Sequence, residues 1–380
     1  MDVYSCMYAP KELVKQLLPF LSRPLVLCEY SHAMGNSCGD LKDYWRILGD
    51  SPKFVGGFIW EMINHSIIDG DKVLYGGDFG DNQNDSNFCM DGLVSIDRKP
   101  FTESLQVREV YAPIKVIENE TNYTIKNKYF FATLKDISCN LSVTVNGKIT
   151  DEYNIDITKI PPQGEMIVPK RVLHLPNGYA YINFVFEKNG ERVATCQFER
   201  KNALIEQKCF DMKPINTTLF DSNGLLKGMS LNMYRAPLDN DMTTKEVWKR
   251  ASIDKAVFFP ISKELVGDSL IVEGKIVTDF MSPLGNMKII YRAYNNSSLN
   301  VDVTAHLEDF LLNKQSTNKG GILKNNVDYI PRFGFTFAYD KKDIFSVSYF
   351  GRGKQEAYVD RNLYAPIGLY TSKPSEMFVS

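Results

Sequence analysis

Residues 23–36 read R-P-L-V-L-C-E-Y-S-H-A-M-G-N, and the fold of the first third of the chain turns on this stretch. Leu25, Val26, Leu27 and Cys28 form an apolar run without alternation, the pattern of a strand covered on both faces of a parallel sheet. The run stops at Glu29. Tyr30, Ser31, His32 and Asn36 follow at once, with Gly35 and Gly39 loosening the backbone ahead of the next helical pattern. In a (β/α) barrel the active site is built at the C-terminal ends of the strands, so Glu29 stands where a catalytic carboxylate is expected. Taken singly, a glutamate after a strand is more often a solvated loop residue or a helix cap.

Working outward, Val3–Ala9 reads as a strand, and Lys11–Leu21 carries Leu13, Val14, Leu17, Leu18 and Leu21 at helical spacing. A helix over Leu41–Leu48 and a third strand, Gly56–Met62, follow the Leu25–Glu29 strand. Beyond an irregular Gly/Asp/Asn-rich stretch, Phe101–Tyr111 predicts a closing helix. This βαβαβ order is the grammar of a parallel barrel, but it supplies three strands where a (β/α) barrel needs eight. The expected fold class is therefore multidomain, α/β plus all-β, and begins with a partial TIM barrel over residues 1–112.

From residue 113 the pattern changes to short strands such as Tyr129–Thr133 and Leu141–Val145, with hairpin signals at Asn146-Gly147 and Asn189-Gly190. Residues 113–204 read as an antiparallel sandwich of immunoglobulin-like size, with the proline-rich Ile160–Gly164 as an internal loop. From 205 to 380 the strands lengthen: Ser269–Asp279, Met287–Tyr294, Leu299–Leu307, Phe333–Tyr339 and Ile344–Phe350. Short helices are expected within Asp239–Val247 and Trp248–Phe258, and Met377–Ser380 reads as the start of another strand. This last part predicts a larger β-sandwich.

Lysine and arginine number 44 against 46 aspartates and glutamates, a net charge of −2, so no basic excess points to nucleic acid. No apolar run approaches the ~18 residues of a membrane span. The seven cysteines (Cys6, Cys28, Cys38, Cys89, Cys139, Cys196, Cys209) lack paired spacing, which favours reduced thiols over a disulfide frame or a zinc site. No secretory leader pattern opens the sequence.

The 23–36 string closely resembles the nucleophile segment of the LacZ-type β-galactosidases of glycoside hydrolase family 2. Three further stretches carry the same resemblance: Y-G-G-D-F-G-D-N-Q-N-D-S-N-F-C-M-D-G-L-V-S-I-D-R at Tyr75–Arg98, Y-R-A-P-L-D-N-D at Tyr234–Asp241, and Gly351-Arg352-Gly353 with Glu356 and Asp360. The resemblance implies retaining hydrolysis of terminal β-D-galactosides such as lactose, with Glu29 as the nucleophile and Tyr8, in M-Y-A, hydrogen-bonded to it. Tyr30, Ser31, His32 and Trp60 would bind substrate, Trp60 by packing its indole face on sugar C–H groups. The carbonyl of Phe88 and the side chain of Asp91 would hold a sodium ion near the sugar. The family's best-known member has asparagine at the Asp91 position. Asn84 would touch a peripheral magnesium. The large sandwich would be of the galactose-mutarotase-like type.

Retention needs a second carboxyl roughly 5 Å from the first. In the family it comes from a motif resembling W-x-x-G-N-E, which this sequence does not contain; Asn119-Glu120 lies in a polar segment that reads as a surface turn. Substitutes are weak. Strand alternation turns Glu61 away if Trp60 faces the barrel mouth. Asp78, Asp81 and Asp91 sit in a loop where carboxylates usually make local turns. The chain alone is therefore expected to be inactive, completed by a separately encoded N-terminal chain or acting within a homo-oligomer. The alternative is a carbohydrate-binding β-sandwich module. The expected compartment is the cytoplasm, with the periplasm as the alternative.

Overall fold

The computed structural model describes residues 2–173, 175–200, 212–238, 241, 244–294, 298–308, 329–338, 340 and 345–377. Cys209, Asp239, Asn240, Tyr339, Ile344 and residues 378–380, all within stretches read above, lie outside them.

β2 (Leu25–Tyr30) is the middle strand of a three-stranded parallel sheet, between β1 (Tyr4–Met7) and β3 (Phe54–Ile59). Helices α1 (Lys11–Leu17), α2 (Leu41–Leu48) and α3 (Thr102–Val110) connect and close this βαβαβ unit. Leu25, Leu27 and Tyr30 are buried in one core with Val14, Leu18, Leu41, Leu48 and Phe54. In α2 the fully buried positions are Leu41 and Leu48, seven apart and hence on one helical face.

The strand is not covered on both faces, as its composition predicts. Cys28 is exposed, as are Val55 (60%) and Phe58 (67%) of the neighbouring strand. Such a two-sided apolar composition suits a sheet whose second face meets further side chains; among the described residues nothing buries these.

After β3 come a small hairpin, β4 (Ile67–Asp69) with β5 (Lys72–Leu74), and a long loop. The loop returns so that residues 91–94 run beside 61–64: Glu61 N–H donates to the Asp91 carbonyl at 3.0 Å, and Ile63 bridges Val94 in parallel.

Two antiparallel sheets follow and share one core. The first has the order β10-β7-β6 (β6 Ile114–Glu118, β7 Asn122–Asn127, β10 Glu165–Pro169). The second is β12-β11-β8-β9 (β8 Ser138–Val145, β9 Lys148–Ile155, β11 Ala180–Lys188, β12 Glu191–Arg200). Alternation decides which side chains enter the core: Cys139, Leu141 and Val143 of β8 and Ile182, Phe184 and Phe186 of β11 meet Ile114, Val116, Tyr123 and Ile125. The two hairpin signals hold. Asn146 and Gly147 (φ 50° and 77°) turn β8 into β9, and Asn189 and Gly190 (φ 53° and 80°) turn β11 into β12. The expected strand at Tyr129–Thr133 does not form. Pairing ends at Asn127, whose side chain accepts the Tyr129 N–H at 2.9 Å and donates to the Ala132 carbonyl at 2.8 Å, folding the segment into a loop that leaves Phe130 and Phe131 exposed.

Contacts separate residues 207–344 as a second unit and group 345–380 with 1–206, a division that cuts across the 205–380 segment read from sequence. In the second unit β15 (Val257–Val266), β16 (Ser269–Val277), β17 (Pro283–Tyr294) and β18 (Ser298–Leu307) form an antiparallel sheet, with β13 (Met212–Lys213) also pairing with the end of β17. A separate pair joins β14 (Met229–Asn232) to β19 (Gly334–Phe337), and α4 (Thr244–Arg250) places Trp248, fully buried, in the shared core. Within the Tyr234–Asp241 string, Arg235 grips Asp241 bidentately at 2.6 and 3.1 Å, and Asp241 also accepts the Leu238 N–H. That string is structural. In the first unit, the closing hairpin is β20 (Val347–Arg352) with β21 (Ile367–Ser372).

Cys6, Cys28, Cys38, Cys89, Cys139 and Cys196 are free thiols. No described helix is long and apolar enough to cross a membrane.

Candidate active site

The C-terminal ends of β1, β2 and β3 meet in a ladder of backbone bonds. Tyr8 N–H donates to the Glu29 carbonyl at 2.9 Å, Trp60 N–H to Tyr30 at 3.3 Å, and Ala33 N–H to Trp60 at 2.6 Å. The ladder continues through Glu61 to Asp91, so the side chains that leave these strand ends converge.

The Tyr8 phenol stands beside the Glu29 carboxylate. Burial raises the phenol first, and Glu29 adds its negative charge, so the proton is held up to about 12. A raised phenol is neutral, and its stabilising effect complete, below the ordinary tyrosine value of 10.0; it is lost only as pH climbs through about 12. Comparing phenolate absorbance of the protein and its Tyr8→Phe variant should therefore remove a component titrating near 12. Loss of a component near 10 instead would refute the contact.

The Tyr8 ring also meets the edge of His32 (6.3 Å between centroids), and His32 stacks on Phe88 at 5.5 Å and 28°. His32 Nε2 lies 3.5 Å from Asp91 Oδ2, and Trp60 Nε1–H donates to the same oxygen at 2.9 Å. Asp91 is buried, and its other oxygen, Oδ1, accepts no hydrogen bond. Glu29, Tyr8, His32, Trp60, Phe88 and Asp91 are thus one connected group.

Three expected residues stand outside it. Tyr30 is a correction: it is fully buried, its hydroxyl bonded to Tyr111 and receiving Trp45 Nε1–H at 3.0 Å, so it packs against the helices instead of facing a substrate. A register shift between Leu27 and Tyr30 breaks the alternation of β2, so Tyr30 joins Leu25 and Leu27 on the helix-facing side. Ser31 (φ 51°) turns the chain out of the strand, with its hydroxyl oxygen buried and unbonded. Asn84 is engaged by its own loop, donating to the Asp81 carbonyl at 2.9 Å and accepting the Ser86 N–H at 3.0 Å.

Glu61 belongs to the group although alternation sends it away. β3 ends at Ile59, so the pleat no longer governs residues 60 and 61, and Trp60 and Glu61 both reach Asp91. Burial first, then the hydrogen bond and negative charge of Asp91, raise the Glu61 carboxyl above its usual range; His65, whose Nδ1 lies 3.1 Å away, opposes them. The sequence signal was present in W-E, but the direction of Glu61 depended on where the strand stopped.

Three family models match the chain: "Glycosyl hydrolases family 2, TIM barrel domain" over residues 1–116, "Beta-galactosidase, domain 4" over 123–204, and "Beta galactosidase small chain" over 192–380. The chain belongs to glycoside hydrolase family 2. Within that family, its curated relatives are β-galactosidases. That of Actinobacillus pleuropneumoniae is 30% identical over 97% of this chain and 40% of its own length. Those of Priestia megaterium and Vibrio cholerae are 25% and 27% identical over 99% and 97% of this chain, each over 40% of the relative. The chain thus spans about 40% of the length of these relatives.

Proposed function

We propose that the protein carrying this chain is a β-galactosidase that hydrolyses terminal β-D-galactosides such as lactose with retention, using Glu29 as its nucleophile. The observation that carries this reading is the backbone ladder that brings Tyr8, Glu29 and Trp60 together at the ends of adjacent parallel strands, with the Trp60 indole and the His32 imidazole joined through Asp91. Glu29 would attack the anomeric carbon to form a galactosyl ester as the bond to the aglycone breaks, the aglycone oxygen taking a proton from an acid on a proposed upstream chain, and water would then cleave the ester. Tyr8, neutral throughout the working range, orients the carboxylate and supplies a proton donor beside it as the ester breaks. Tyr8→Phe should cost about 10²-fold in kcat, read as slower release of galactose from the ester.

The matched family segments support a reading in three parts: a barrel portion over 1–112, an immunoglobulin-like sandwich over 113–204, and a mutarotase-like sandwich over 205–380. An N-terminal partner chain that completes the barrel is our proposal for the apolar side chains left open at Val55 and Phe58. The test is turnover of nitrophenyl β-galactoside by this chain alone and mixed with a piece supplying the upstream barrel. Activity is expected only in the mixture. Silence in both, with both pieces folded, would sink the reading; turnover by the chain alone, abolished by Glu61→Gln, would make Glu61 the acid.

A sodium ion fits one feature of the site. Asp91 Oδ1 is a buried anionic oxygen without a hydrogen-bond donor, beside a second carboxyl, and a hard monovalent cation held there with the Phe88 carbonyl would supply positive charge near sugar hydroxyls. Asp91→Ala should abolish any dependence of Trp60 fluorescence on sodium; an unchanged sodium titration would remove Asp91 from the site. Magnesium fits less well: the Asn84 amide is used within its loop, and among the described residues no group of three or more acidic, histidine or cysteine side chains is assembled for a metal. We propose the cytoplasm as its compartment, where the free thiols of the described residues would stay reduced.

A further inference from the structure

The loop between β2 and α2, residues 31–40, carries His32 and has no regular secondary structure of its own. Its inner side is apolar, with Ala33 and Cys38 buried against Leu93. Burial pushes the Cys38 thiol up to about 12, and it donates to the Ser31 carbonyl at 3.4 Å, tying the end of the loop to the residue before His32.

Its other side is met by residues 358–363. Tyr358 and Arg361 close a tight turn by exchanging backbone bonds of 3.0 and 3.1 Å. From that turn the Tyr358 hydroxyl accepts Asn36 Nδ2–H at 2.8 Å. Arg361, almost fully buried, donates from Nη1 to the Ser37 carbonyl at 3.0 Å and pairs with the buried carboxylate of Glu103 on α3. Asp360 lies against Gly39 so closely that a Cβ there would fall 2.1 Å from its Oδ2. Lys42, just past the loop, reaches the Asn362 side chain at 3.2 Å, and Leu363 N–H donates to Gln106 of α3 at 3.0 Å.

We propose that Arg361 is a positioning residue for the candidate active site: by holding Ser37 and Glu103 together it fixes loop 31–40 against α3 and so fixes where His32 stands relative to Asp91. The inference rests on the glycosidase reading only for what the loop serves. The clamp itself is independent of it. Both bonds leave Nη1, at the far end of the side chain, so the task needs the reach of an arginine; a lysine ammonium sits on a shorter stem.

The test uses the full protein that carries this chain, with hydrogen exchange of amides 31–40 and kinetics on nitrophenyl β-galactoside. Arg361→Lys keeps the charge beside Glu103. A second variant, Arg361→Met with Glu103→Met, replaces the buried pair with apolar side chains of similar length, a change that commonly preserves folding. In both, exchange should quicken within 31–40 while the rest of the barrel portion keeps its protection. kcat/KM should fall by about 10²-fold, mainly through KM, as expected for a displaced binding group. Unchanged exchange in 31–40 in the folded double variant would overturn the proposal, and so would a uniform rise across the chain. Absence of hydrolysis by the unaltered protein would refute the glycosidase reading, leaving the exchange comparison to decide the clamp.

Discussion

On the proposed function, replacing Glu29 with glutamine should lower nitrophenyl β-galactoside turnover by about 10⁴-fold or more, the order expected when a covalent nucleophile is removed. The amide is nearly isosteric, so the strand ends stay in register and the thermal midpoint changes little. A second readout comes with the first. After burial, the charge of Glu29 is the next cause that raises the Tyr8 phenol, and the substitution removes that charge while burial and the carboxylate of Asp91 still act. The Tyr8 phenolate should then appear at lower pH than in the unaltered protein. Turnover persisting within tenfold would disqualify Glu29, and an unmoved phenol would mean that the two side chains do not meet in solution.

Gly92→Ala has the second largest expected effect, and it acts without touching any reactive group. Gly92 follows Asp91, and its N–H donates to Asn64 Oδ1 at 2.7 Å across the 61–64 segment. A Cβ at this position would lie 2.2 Å from the Asn64 backbone nitrogen and 2.4 Å from the Ile63 carbonyl carbon. Backbone cannot move aside as a flexible side chain can, so the two segments must separate. The expected cost is about 1–3 kcal/mol or more in stability. Since Asp91 orients both Trp60 and His32, an outward shift of its backbone by even 1 Å should also lower kcat/KM by about 10²-fold. Thermal unfolding and kinetics measured on one preparation decide this. A variant as stable and active as the parent would show that the 91–94 segment does not lie beside 61–64.

The sequence made the core of the site legible because its signals are local. The run ending at Glu29, the helix at Leu41–Leu48 and the Asn-Gly turns each depend on a handful of neighbouring residues, and each forms where its pattern points. What failed depended on boundaries. Tyr30 reads as part of a functional string, yet an irregularity after Leu27 interrupts the alternation and turns it into the helix-facing core. Glu61 reads as turned away, but only while the strand continues past Ile59. The strand at Asn122–Asn127, N-Y-T-I-K-N, went unread because only Tyr123 and Ile125 announce a buried face, whereas the neighbouring aromatic run Tyr129–Phe131 imitates a strand without pairing. The Arg361–Glu103 pair spans 258 residues, and no periodicity connects positions so far apart.

The grouping of residues 345–380 with 1–206 has a consequence for the order of events at the ribosome. Loop 31–40 leaves the tunnel well before the turn at 358–361 that holds it, which is made only after the whole of 207–344 has been synthesised. At roughly 5–20 residues per second, that interval is on the order of ten seconds or more. During it, the loop after Glu29 has its apolar inner contacts but none of the polar ones from Tyr358, Arg361 and Asn362. A nascent chain arrested before residue 356 should be cut readily by protease within 31–40, and one arrested well beyond residue 377 should resist. The carboxylate proposed as the nucleophile is therefore made long before its surroundings are fixed.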